Sequence, residues 1–111
     1  MTDHTSKHPL QDRVAAWHAA RFPSCTIEDI ALKATAELGE VADAILAEGR
    51  DGTHPERAGQ ILKESADVVI TLLAICGRFG HGDLLAATGA KLQVLETPGG
   101  THPSCLPGDT R

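Results

Sequence analysis

Four carboxylates fall in two pairs of equal spacing: Glu37 and Glu40 in AELGEVADAILAEG, and Glu64 and Asp67 in KESADVVITLLAIC. On a helix, residues three apart lie roughly 60° apart around the axis and about 4.5 Å along it, so each pair points one way. The first pair adjoins an apolar stripe that includes Leu38, Val41 and Ile45. The second is more constrained. Leu62, Ala66, Val69 and Leu73 form one apolar flank, Ile61, Val68, Leu72 and Ile75 form another, and Glu64, Asp67 and Thr71 occupy the strip between them. A helix apolar nearly all round is expected to be central and buried. An uncompensated carboxylate there would cost several kcal/mol or take up a proton. Ion pairs within one helix are one form of compensation, since Lys33 stands four residues before Glu37 and Lys63 four before Asp67. Such pairs contribute only a few tenths of a kcal/mol. Four carboxylates converging between two helices offer more, a hard oxygen cage suited to Mg²⁺ or Mn²⁺.

The elements that position these acids follow from periodicity and punctuation. Leu10, Val14, Trp17 and Ala20 recur at helical spacing, with Pro9 at a first-turn position and Pro23 closing the segment, which predicts a helix from Pro9 to Arg21. Thr26 reads as the N-cap of a second helix with Glu28 and Asp29 in its first turn, running to about Glu48 and stopped by Gly49. Thr53-His54-Pro55-Glu56 has the form of a capping box opening a third helix to about Arg78, with Gly77 and Gly80 bracketing its end. Asp83 then reads as the N-cap of a shorter fourth helix to Glu96. Four helices on short connections predict an all-α, antiparallel four-helix bundle spanning residues 9–96. Residues 1–8 show no periodicity and are expected to be a mobile tail. Residues 97–111, rich in Pro and Gly, are expected to be disordered.

Composition limits the function classes. The chain has 111 residues, enough for one domain. Aromatic content is 3%, namely Trp17, Phe22 and Phe79, so the core must be built from aliphatic side chains, as in packed helices. A formal net charge of −5 argues against a nucleic-acid binder, which needs a basic face. A polyanionic ligand would have to be approached through borrowed cations. Three cysteines without a CxxC, no apolar leader and no long apolar run predict a reduced, cytoplasmic, soluble chain with no membrane association.

The arrangement E-L-G-E, a loop, then E-S-A-D resembles the EExxE…ExxD signature of the all-α nucleoside triphosphate pyrophosphatases, the MazG-like superfamily. The likeness runs from WHAARFP (residues 17–23) through KATAELGEVADA (33–44) and ESADVVI (64–70) to GRFG (77–80), and fades after KLQVLE (91–96). It implies a Mg²⁺-dependent (Mn²⁺ also serving) pyrophosphohydrolase that cleaves a nucleoside triphosphate to the monophosphate and pyrophosphate. The implied metal ligands are Glu37, Glu40, Glu64 and Asp67, with Glu40 or Glu64 as the proton acceptor. Lys91 matches a phosphate-contacting lysine, and the first-helix aromatic, here Trp17, contacts the base in some members. Two positions depart from the pattern: Ala36 replaces the first acid of the motif, and Leu95 stands where an Asn is expected.

Each of these residues also has a plainer reading. Trp17 is most simply a core anchor, Lys33 a surface charge rather than a phosphate contact, and the six histidines, none at zinc spacing, solvent-exposed. The loss of the acid at Ala36 supports two alternatives to the enzyme: a helical module that binds nucleotide or metal without turnover, or an interaction module that retains the scaffold. A phosphoribosyl-ATP pyrophosphatase-like enzyme is a further option. The apolar surplus of the third helix, notably Ile61, Val68, Leu72 and Ile75, predicts a homodimer or homotetramer.

Overall fold

The computed structural model describes residues 8–80 and 82–99. Among them are four helices and no strands: α1 (Pro9–Arg21), α2 (Ile27–Asp51), α3 (Arg57–Phe79) and α4 (Leu84–Glu96). The starts of α1, α2 and α4 each have a local cause. Pro9 occupies the first turn of α1, and the His8 imidazole accepts the Leu10 amide at 3.0 Å. His8, assigned by its sequence to a mobile tail, is therefore a cap, and its own amide donates to the Asp83 carboxylate. Thr26 and Asp29 form a reciprocal capping box on α2, with both bonds at 3.0 Å. Asp83 accepts the amides of Leu85 and Ala86 at the head of α4.

Two boundaries differ from the sequence expectation. The second helix runs through Gly49 and ends at Gly52, whose φ of +86° is the first in the segment that a helix cannot continue. A glycine stops a helix by adopting positive φ, and Gly49 stays helical. The capping box expected at residues 53–56 is not formed either. Pro55 and Glu56 lie in a turn, and no side chain caps the start of α3 at Arg57. At the other end, Gly80 takes a left-handed φ of +71° and terminates α3. Gly77 acts differently: a Cβ there would stand 2.7 Å from the Ala15 Cβ, so its bareness lets α1 cross α3 closely.

α2 and α3 pack along their lengths, and α1 packs on α3. Their order is antiparallel, since Ile30 clusters with Leu73, Glu40 approaches Glu64, and Ala44 meets Arg57. The core consists of Val14, Ile30, Leu73 and Ala74, with Cys25, Ile75 and Leu84 packed against it. α4 contributes no buried residue and is held by its first turn. Gln11, wholly buried on α1, makes that attachment: its amide donates to the Gly82 carbonyl at 2.9 Å, and its carbonyl accepts the Leu84 amide at 2.8 Å.

The expectation of a buried central α3 is met on one side only. Leu73 and Ala74 are buried and Ile61, Val68 and Ile75 half-buried, whereas Leu62, Val69 and Leu72 are exposed, Leu62 to 73%. α2 continues the pattern with exposed Leu38 and Ile45, two turns apart on one line. The reason is α4, which does not fold back over this face. Cys25 and Cys76 carry free thiols, and no single helix among the described residues is long and apolar enough to cross a membrane. The remaining tail residues 1–7 and 100–111, including Cys105, lie outside the described residues.

Candidate metal and ligand site

The antiparallel register of α2 and α3 brings three of the four paired acids together. Ligand oxygens of Glu37, Glu40 and Glu64 lie within 4.8 Å of one another. Glu37 is buried, Glu64 half-buried and Glu40 exposed. Adjacent oxygens around an octahedral Mg²⁺, each about 2.1 Å from the ion, lie about 3 Å apart, so the side chains would have to draw together to hold one. The donor set, all carboxylate oxygen, is what hard divalent cations select. Asp67 is not part of the trio; it lies one turn along α3 on the wall of an adjoining cavity.

The electrostatics of the trio are asymmetric. Lys33 forms an ion pair with Glu37 at 2.9 Å, the one such pair among the described residues. That ammonium, followed by a shared hydrogen bond with Glu40, holds the Glu37 carboxyl below its ordinary range. Glu37 raises Lys33 in return. Glu40 moves the opposite way. The hydrogen bond and charge of Glu37, then the charge of Glu64, push its pKa up. Two neighbouring carboxylates thus differ in proton affinity, because one has a cation beside it and the other has two anions.

This asymmetry fixes the sign of a stability effect. Because the Glu40 pKa is raised on folding, its protonated form stabilises the folded chain below the ordinary carboxylate range, and that contribution is lost as the pH rises through the folded value. In chelator at neutral pH, Glu40→Gln is therefore expected to melt above wild type, with the gap closing as the pH falls and the wild-type carboxyl protonates. Added Mg²⁺ should reverse the order, since the wild type keeps the third ligand. Equal melting temperatures in chelator, or equal gains with Mg²⁺, would count against the trio as a cation site.

Two cavities flank the acids. The first, of about 470 Å³, lies between α1, α2 and α3 and is largely apolar. Trp17, Phe22 and Ile70 supply apolar walls, while Lys33, Glu37 and Asp67 stand at its acidic side. Trp17 is 52% exposed, so it is not the core anchor that a lone Trp suggests. It meets Phe22 edge-on at 5.8 Å, and His18 lies 5.1 Å from Phe22. Desolvation, aided by Arg78, lowers the His18 pKa and favours the neutral ring. An open, aromatic-edged cavity of this size suits a flat heterocycle. The sequence signal for it was the close spacing of Trp17, His18 and Phe22, of which only Trp17 was singled out. The second cavity, of about 430 Å³, is polar and lies beyond Glu40 and Glu64. Lys91, on the exposed surface of α4, lines neither cavity. Comparison of the chain with protein-family models, curated proteins and solved structures finds no match.

Proposed function

We propose that the protein is a metal-dependent nucleoside triphosphate pyrophosphohydrolase of the MazG-like kind, acting on a (d)NTP in nucleotide-pool house-cleaning and working as a homodimer or homotetramer whose helices complete a four-helix bundle. The observation that carries this reading is the convergence of Glu37, Glu40 and Glu64 beside a cavity edged by Trp17 and Phe22. A cation site next to an aromatic cavity suits a ligand that joins a flat ring to a polyanion. Glu37, Glu40 and Glu64 would hold Mg²⁺ or Mn²⁺, with Asp67 close by on the next turn. Such an ion, when bound, supplies neutralisation of phosphate charge and activation of water. The net charge of −5 makes that neutralisation necessary.

In the reaction, water attacks the α-phosphorus, the bond from that phosphorus to the α–β bridging oxygen breaks, and pyrophosphate leaves. A carboxylate must take the proton of the attacking water. Glu40 suits this role better than Glu64, because its side chain is the exposed member of the trio and open to the attacking water. Trp17 would orient the base by stacking. Lys33, held against Glu37, tunes that ligand and stands at the cavity mouth, where a phosphate could recruit it. Lys91 carries no weight in this reading, since it lines neither cavity of one chain.

One observation favours a second reading. The Lys33–Glu37 ion pair already compensates the buried acid, and Ala36 offers no additional carboxylate, as in a module that binds nucleotide without cleaving it. Chromatographic product analysis over a panel of NTPs and dNTPs, with Mg²⁺ and with Mn²⁺, separates the two. Monophosphate plus pyrophosphate is the expected result. Diphosphate plus orthophosphate, or no turnover of any nucleotide, would overturn the enzymatic reading.

A further inference from the structure

The polar cavity beyond the acids contains two cations that the reading above leaves unused. It lies between the C-terminal end of α2 and the first turns of α3, and its wall includes Glu40, Asp43, Arg50, Arg57, Gln60 and Glu64. Glu40 and Glu64 belong to this wall and to the acid trio, while Glu37 belongs to the trio and to the aromatic cavity. The trio is therefore the junction of two cavities of opposite character. Glu37, Glu40 and Asp43 follow one another at three-residue steps, each about 4.5 Å of rise and about 60° of turn, so the path from aromatic wall to cation-bearing wall winds along α2 through about a third of a turn.

We infer that this second cavity is the anion subsite for the terminal phosphates of the substrate, and for the pyrophosphate released from them, with Arg50 and Arg57 as its binding residues. The inference rests on the proposed pyrophosphohydrolase and assigns the part of the ligand that the aromatic cavity does not accommodate. Three observations support it. Both arginines share a cavity wall with three carboxylates, yet neither is within ion-pair distance of any of them; among the described residues the ion pair is Lys33–Glu37. One guanidinium nitrogen of Arg57 donates to the Ala44 carbonyl at 3.2 Å, which anchors the group and leaves its other donors free. The start of α3, where Arg57 and Gln60 lie, has no side-chain cap, so its amide end adds positive potential to the same region.

Simple structural roles account for each arginine singly. Arg50 sits in the last turn of α2, where a cation offsets the helix dipole, and Arg57 satisfies a helix carbonyl. They do not account for two guanidinium groups, without an ion-pair partner among the described residues, at one cavity that also contains acids. A planar guanidinium matches two phosphate oxygens at once, which a point charge does not. The mixed lining also selects the form of the ligand. Glu40, Asp43 and Glu64 would repel bare pyrophosphate, whereas a magnesium complex presents metal to the acids and oxygen to the arginines.

The test is calorimetric titration of the full chain with inorganic pyrophosphate, with Mg²⁺ and with chelator. Wild type is expected to bind magnesium pyrophosphate and to show no binding in chelator. Arg50→Ala, which removes no side-chain hydrogen bond among the described residues, should weaken binding about tenfold, and Arg50→Ala with Arg57→Lys should weaken it further. The Mg²⁺-induced rise in melting temperature and the affinity for nucleoside monophosphate should stay as in wild type, which separates loss of the subsite from loss of the fold. Unchanged pyrophosphate affinity in Arg50→Ala and in the double variant, or absence of binding to wild type, would overturn the assignment. Arginine-dependent pyrophosphate binding without turnover of any nucleotide would leave the subsite standing and remove the hydrolase. Turnover with arginine-independent pyrophosphate binding would do the reverse.

Discussion

Glu64→Gln is expected to lower kcat for triphosphate cleavage by about 10²–10⁴-fold, the range that loss of a positioned proton-transfer or metal-binding group produces. The substitution keeps the shape of a half-buried side chain on α3 and removes one of three charges that lie within 4.8 Å of one another. In chelator the variant should melt no lower than wild type, because the charge removed was repelled by Glu40. A Mg²⁺ titration of activity should also require more metal. Asp67→Asn provides the comparison. Its carboxylate lies outside the trio, so it should retain more activity than Glu64→Gln, whereas a symmetric four-ligand cage predicts equal losses. Single-turnover kinetics at saturating Mg²⁺ measures both. A Glu64→Gln enzyme within a fewfold of wild type would show that the trio is not where the chemistry occurs.

Leu38→Glu combined with Leu72→Glu is expected to convert a stable homo-oligomer into monomer at micromolar concentration. Both side chains are exposed in the single chain, Leu38 to 58%, next to exposed Ile45 on α2 and half-buried Ile61 and Val68 on α3. On their helices Leu38 lies about 100° round from Glu37 and Leu72 about 80° round from Glu64, so both flank the acids on exposed surface. A soluble monomer rarely tolerates a contiguous apolar face of this kind. Burying an aliphatic side chain of this size contributes about 1.5–3 kcal/mol, so a few such residues supply most of a micromolar association. A second copy of the same face satisfies the requirement by two-fold symmetry. An unpaired carboxylate from each copy in that interface would cost more than the lost contacts. Light scattering of wild type and variant decides the matter. A wild-type monomer at micromolar concentration would refute the assembly, and a variant that stays oligomeric would place the interface elsewhere.

The helix ends were readable in the sequence wherever a chain-local rule sets them. Pro9, Thr26, Gly80 and Asp83 each act within a few residues of their own position, and residue type and position point to each of them, although the reciprocal bond of Asp29 to Thr26 is visible only in the structure. Gly49 and the segment 53–56 show the limit of such rules: a glycine or a Thr-x-x-Glu pattern permits a stop or a cap but does not compel it, and α2 continued to the next glycine that takes positive φ. The i, i+3 spacing likewise fixed that Glu37 and Glu40 share a side of α2, and Glu64 and Asp67 a side of α3. Spacing within a helix says nothing about register between helices. Each residue advances a helix by about 1.5 Å and 100°, so one step of register exchanges the side chains that meet across the contact. That register gathered Glu37, Glu40 and Glu64 while leaving Asp67 on the aromatic cavity, and set Arg50 and Arg57 into one cavity with the acids. The separation of the aromatic end from the cationic end was invisible along the chain, because it depends on which faces of three helices remain uncovered once Val14, Ile30, Leu73 and Ala74 have packed.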